Sequence, residues 1–210
     1  MKSNRDLPVR TRVSANGLVH AGIPRSYVNH TIDDFSGDVT KKVATRYIDN
    51  IHSMYEDKQD LLLSGENGTG KTMLASIILK HAYFHRYKIA MITMGTLLDI
   101  TFNQKLIENQ VRLNEIKDAQ FIVIDELGKE TFTATGSNKN LFENFLRTAH
   151  QTGQVIIICT NMDVDGIREQ YGKSVASLID GTFGKLFFRD TDKRKTVQKG
   201  KKSMQILAGK

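Results

Sequence analysis

Gly65-Glu66-Asn67-Gly68-Thr69-Gly70-Lys71-Thr72 fits the pattern G-x-x-x-x-G-K-[ST], and its reading decides the fold because every fixed position meets a requirement of phosphate binding. Glycines let a backbone wrap an anion with its N–H groups pointing inward, and a helix starting there adds unpaired donors and partial positive charge. Lys71 then reaches the β- and γ-phosphates, while the Thr72 hydroxyl is a ligand for Mg²⁺. The nucleotide-binding set is Gly65, Glu66, Asn67, Gly68, Thr69, Gly70, Lys71, Thr72 and the following Met73. A random chain of this length meets the pattern roughly 1% of the time, so the flanks matter. Asp60-Leu61-Leu62-Leu63-Ser64 reads as a buried strand, and Met73 to Leu79 continues as a helix with apolar residues on several turns.

A second constellation has the same logic. Phe121-Ile122-Val123-Ile124 runs into Asp125-Glu126, as a fully buried parallel strand ending at a ligand site does. In this Walker B reading Asp125 holds Mg²⁺ and Glu126 polarises the water that attacks the γ-phosphate. A third strand, Val155 to Cys159, ends in Thr160-Asn161, which puts an amide at the same carboxyl edge, able to orient that water or sense the γ-phosphate. The alternation of strands and helices predicts a βαβ series with a parallel sheet flanked by helices. An immediately adjacent Asp-Glu favours hydrolysis over transfer to a small molecule. Thr160-Asn161-Met162-Asp163 lacks the Lys and the spacing of a guanine-reading Asn-Lys-x-Asp.

Composition bounds the rest. The chain has 210 residues, one cysteine, and a formal charge of +7, enough for one sizeable core. It shows no signal-peptide pattern and no run of about 18 apolar residues, so no membrane partner is expected and a cytoplasmic location is. Cys159 sits in a predicted buried strand and reads as a small core residue. His81 and His85 stand at i, i+4, but Ala82 occupies the place where a zinc-protease helix needs Glu. From Lys193 to Lys210 there are seven Lys or Arg and no acidic residue, so the rest of the chain is neutral overall. Such a tail either attracts nucleic-acid phosphates or is a solvated end.

These motifs, with Gly22-Ile23-Pro24-Arg25-Ser26-Tyr27 followed by Phe35, resemble the DnaC/IstB branch of the AAA+ ATPases over roughly residues 22 to 195. The resemblance implies an AAA+ P-loop fold with a short C-terminal helical lid after about residue 163. It also implies ATP with Mg²⁺ as cofactor and ATP hydrolysis as activity. For partners it implies single-stranded DNA, a hexameric replicative helicase and further copies of the chain on ATP or DNA. Three functions fit: an ATP-dependent loader of a replicative helicase, an IstB-type regulator of transposition on duplex DNA, and a nucleotide-gated binding module that scarcely hydrolyses ATP.

The same resemblance assigns catalytic parts. Beside Glu126 and Asn161, Arg194 falls at the offset of a sensor arginine, with Arg189 competing for that position. Within Gly172 to Ile179, Leu178 stands where the family usually has an arginine that reaches the neighbouring subunit's ATP. An arginine finger contributes orders of magnitude to phosphoryl transfer, so slow turnover is expected unless another residue, such as Arg168, replaces it. Lys105 and Arg112 lie in a region, 96–118, that contacts single-stranded DNA in the family, and Gly128 to Ser137 is the loop that would line a ring pore.

Along the chain, residues 1–21 read as an irregular basic arm, 22–195 as the ATPase domain and 196–210 as a basic tail. Val43, Tyr47, Ile51 and Met54 predict a helix over about 38–57, and 96–118 reads as helical throughout. Helicase loaders of the resembled type carry an N-terminal helicase-binding domain, whereas about twenty residues precede Gly22. Either that arm docks as a short linear motif or the partner differs; compact phage-encoded versions are the nearest analogy.

Overall fold

The computed structural model describes residues 14–35, 38–130 and 137–188. Five strands, β1 (Asp60–Gly65), β2 (Ile89–Thr93), β3 (Phe121–Leu127), β4 (Val155–Thr160) and β5 (Phe183–Phe188), form one sheet in the order β2-β3-β4-β1-β5. Every neighbouring pair is parallel, with Leu62 opposite Ile158 and Ile122 opposite Ile156. The Leu-, Ile- and Val-rich runs of β1, β3 and β4 are buried almost throughout, as strands covered on both faces must be.

Strand alternation divides the core into two layers. Leu61, Leu63, Phe121, Val123 and Ile157 face α4 (Lys71–Phe84), with α2 (Asp38–Asp49) and α3 (Ile51–Glu56) on the same side. Leu62, Ile122, Ile124, Ile156 and Ile158 face the other side, where α5 (Met94–Phe102), α6 (Ile107–Asp118) and α7 (Ser137–Thr152) pack. The short helices expected after residue 163 are present as α8 (Val164–Tyr171) and α9 (Lys173–Thr182), on the second layer. They precede β5, which returns the chain to the sheet beside β1.

Three expectations need correction. The arm is not irregular to residue 21: α1 (Ala15–His20) buries Leu18, and Met91 N–H donates to Ala21 O at 2.7 Å, pinning the segment to the β2 edge. The helix over 38–57 breaks at Asn50, whose φ of −110° and ψ of 28° leave the helical basin. The buried stripe of α2 is Ala44, Tyr47 and Ile48, which leaves Val43 40% exposed. The 96–118 helix divides into α5 and α6 around a polar run in which Asn103 Nδ2 donates to Asp99 Oδ1 and Asn109 Nδ2 to Asn103 O, both at 2.9 Å. Phe102, Leu106, Ile107 and Val111 consequently stand at an exposed corner rather than in the core.

Arg189, Arg194, the 196–210 tail, residues 1–13 of the arm and residues 131–136 of the loop after β3 lie outside the described residues. Among the described residues no helix is long and apolar enough to cross a membrane.

Candidate functional site

The loop from β1 to α4 is shaped by close approach. Gly65 takes φ 144°, and a Cβ there would lie 2.3 Å from the Phe188 carbonyl oxygen on β5, so only glycine fits. Beyond it the Thr69 hydroxyl donates to Glu66 O at 2.9 Å, closing the loop on itself. Lys71, the first residue of α4, turns its ammonium into the loop and donates to Gly65 O at 2.6 Å and Glu66 O at 2.7 Å. Lys71 is only 8% exposed, and a buried ammonium needs such charge-assisted bonds.

Across from it, β3 is bulged against β4 between Ile124 and Leu127. A bulge re-aims side chains where pairing ends, and Glu126 within it takes φ 59°. Asp125 points inward: its Oδ2 accepts from the Thr72 hydroxyl at 3.0 Å and its Oδ1 from Glu126 N–H at 2.9 Å. Burial pushes the Asp125 carboxyl above its ordinary range, opposed by those two hydrogen bonds. Glu126 stays half-exposed and pairs with Lys129 Nζ at 2.7 Å. Asn161, just past β4, donates from Nδ2 to Asn67 Oδ1 at 2.9 Å, bridging the third strand to the glycine loop.

These side chains line one cavity of about 460 Å³, within the range of small-ligand sites. Asn67, Gly68, Gly70, Lys71, Thr72, Met73, Asp125, Glu126 and Asn161 all border it. Gly65, Glu66 and Thr69 do not, and act through the loop instead. A hydroxyl and a carboxylate 3.0 Å apart beside a phosphate-shaped loop are hard oxygen donors, the set that suits Mg²⁺ completed by phosphate and water. No cluster of three His, Cys, Asp or Glu able to hold a metal by itself occurs among the described residues.

Other expected residues are placed elsewhere. Arg112 is not available to DNA: its guanidinium donates to Met91 O at 3.0 Å, Ala21 O at 3.3 Å, His20 O at 3.2 Å and Glu115 Oε2 at 2.9 Å, stapling the arm to the sheet edge. Lys105 is exposed at the α5–α6 corner. Leu178 packs against the second core layer, and Arg168 pairs with Asp165 on α8, away from the cavity lining. His81 and His85 are both half-buried. Burial is the largest cause lowering the His81 pKa, and the His85 ring stacks edge-on with His52 at 4.9 Å.

The cavity is also bordered by residues that the sequence reading did not assign to it, Tyr27, Leu127, Lys129, Cys159 and Thr160. Tyr27, the last residue of the Gly22–Tyr27 stretch, lines the cavity. It is carried there by Lys80, a buried lysine on α4 that donates to Val28 O at 2.7 Å and His30 O at 2.5 Å. Burial lowers the Lys80 pKa, as it must for an ammonium taken from water. Lys129, the partner of Glu126, lies on the same lining. Cys159 borders the cavity too, and burial pushes its thiol well above the ordinary range.

A parallel sheet in this strand order, with the glycine loop after β1 and a bulged acidic end on β3, defines a P-loop nucleotide-binding protein of the AAA+ class. The chain belongs to the family of IstB-like ATP-binding proteins, whose model matches residues 4–179. The replicative helicase loader DnaC of Buchnera aphidicola subsp. Acyrthosiphon pisum is 21% identical over 179 residues, 83% of this chain and 71% of the loader. Among solved structures, a DnaC helicase loader superposes with a TM-score of 0.68 at 17% identity, covering 79% of this chain and all of that one. The DnaA replication initiator bound to AMPPCP and single-stranded DNA gives 0.64 at 15% identity, covering 81% of this chain. The chain spans about half of that initiator, 52% of its length.

Proposed function

We propose that this chain is an ATP-dependent DNA replication factor that binds single-stranded DNA and loads or remodels a replicative helicase, with ATP binding and hydrolysis as its switch. The observation that carries the nucleotide chemistry is the convergence of Lys71, Thr72, Asp125 and Glu126 on one cavity. The replication role is supported by likeness to helicase loaders across most of the chain.

Thr72 and Asp125 would hold Mg²⁺, which when bound supplies charge neutralisation at the phosphates. Lys71 exchanges its loop carbonyls for phosphate oxygens, and the loop N–H groups wrap the rest. Glu126 accepts the proton of the attacking water, and Asn161, already aimed across the cavity at Asn67, orients that water or reads the γ-phosphate. Tyr27 and Met73 offer the apolar wall for the base. Phe102 and Lys105, exposed together at the α5–α6 corner, suit stacking and phosphate contact with a single strand. Arg194 as sensor, the basic tail as a second DNA contact, self-assembly on ATP or DNA, and a cytoplasmic location belong to the same reading.

The test is a pull-down from host lysate with tagged Glu126→Gln protein and ATP, with Lys71→Ala as the blank. Enrichment of a hexameric replicative helicase only with the ATP-trapped bait is expected. A transposase in its place, or no ATP-dependent partner, sinks the loader reading in favour of the transposition regulator or the nucleotide-gated module.

A further inference from the structure

The turn after β3 is fastened more firmly than a connector requires. Glu126 holds φ 59°, a conformation uncommon for residues with a Cβ and kept only where neighbours enforce it. Its carbonyl accepts from Lys129 N–H at 3.1 Å, and its Oε1 accepts from Lys129 Nζ at 2.7 Å. Lys129 therefore grips Glu126 at both ends. Between them Gly128 turns at φ 94°, where a Cβ would lie 2.5 Å from Met162 Cε. Gly128 N–H donates to Glu130 Oε2 at 3.0 Å, and the Tyr171 hydroxyl on α8 donates to Glu130 Oε1. Burial raises the Glu130 pKa, opposed by the backbone donors around it. The turn is thus tied to α8, while Glu126 and Lys129 both border the nucleotide cavity.

We infer that Lys129 is a positioning residue that restrains Glu126, occupying one carboxylate oxygen and drawing the side chain toward the turn and away from an attacking water. The inference rests on the hydrolysis reading above and adds to it a built-in brake. The pair is 47% and 46% exposed, and exposed ion pairs are weak and exchange readily. The brake is therefore a bias rather than a block: whatever anionic group takes the Lys129 ammonium leaves Glu126 free.

Two measurements on the full chain test it. The first is kcat and KM for ATP in the wild type, Lys129→Met and Lys129→Arg. The second is the rate at which an N-hydroxysuccinimide ester acylates Lys129 in nucleotide-free wild type and Glu126→Gln, followed by peptide mass spectrometry. Lys129→Met is expected to raise kcat about two- to fivefold with KM unchanged, the scale of one exposed pair, and Lys129→Arg to retain wild-type turnover. Glu126→Gln is expected to speed acylation of Lys129 by a similar factor. A fall or no change in kcat for Lys129→Met overturns the restraint whatever the labelling shows. If neither wild type nor Lys129→Met hydrolyses ATP, the hydrolysis reading fails by itself, and labelling decides the pairing: faster acylation in Glu126→Gln upholds it, equal acylation removes it.

Discussion

Two buried aspartates lie at opposite ends of the same sheet, and only one borders the cavity. Asp60 starts β1 and is wholly buried; its Oδ1 accepts from Ile156 N–H at 2.7 Å, while Oδ2 lies 3.2 Å from His150 Nδ1 without hydrogen-bond geometry. Burial pushes its carboxyl up to about 7. Asp125 ends β3 and is also buried, but it opens on a cavity and faces a hydroxyl, with a second carboxylate next in sequence. The difference teaches that burial and a raised pKa do not mark a functional carboxylate; a concave, polar, ligand-sized space beside it does.

Disabling the cavity end should have the largest effect. Lys71→Ala is expected to weaken ATP binding by about 100-fold or more, the equivalent of about 2.7 kcal/mol, measured by fluorescent-nucleotide titration. Glu126→Gln should still bind ATP while kcat falls by about 10²- to 10⁴-fold in a phosphate-release assay, with stability changed by less than about 0.5 kcal/mol. Wild-type turnover in that variant would remove Glu126 as the base.

The other aspartate should respond to pH and not to nucleotide. Its folded pKa of about 7 stands above the ordinary 3.8. Between those values the folded chain keeps a proton that the unfolded chain has released. The contribution of Asp60 to stability is therefore greatest below about pH 4, falls by up to about 4 kcal/mol as pH rises to about 7, and then levels. Asp60→Asn should remove that slope in urea unfolding across pH 4 to 8 and leave ATP affinity unchanged. An unaltered slope would mean that Asp60 ionises freely in the fold.

Smaller effects should separate positioning from packing. Lys80→Met is expected to cost about 1–3 kcal/mol and to weaken ATP binding a fewfold by loosening the Tyr27 segment, with kcat retained. Arg112→Ala should cost a similar amount, again about 1–3 kcal/mol, through the carbonyls it leaves unpaired, with ATP affinity unchanged.

What could be read from sequence was local. The β1-loop-α4 unit, the apolar run ending in Asp125-Glu126 and the strand before Asn161 each announce themselves within a few residues, because strand burial and phosphate-loop geometry impose residue types at fixed spacing. The breaks at Asn50 and 103–106 were hidden because apolar periodicity continues across them. Tyr27 reaches the cavity through Lys80, and Arg112 serves carbonyls on two distant segments. Contacts across such separations leave no local pattern. Lys129 is one more charge after a strand until the positive φ of Glu126 brings the two together.

The central claim is that Lys71, Thr72 and Asp125 form an ATP·Mg²⁺ site, and isothermal titration of ATP into the wild-type chain with Mg²⁺ and with EDTA, alongside Lys71→Ala, tests it most directly. The expected result is saturable one-to-one binding that weakens when Mg²⁺ is chelated and by about 100-fold or more in Lys71→Ala. Equal affinity in the wild type and Lys71→Ala would contradict it.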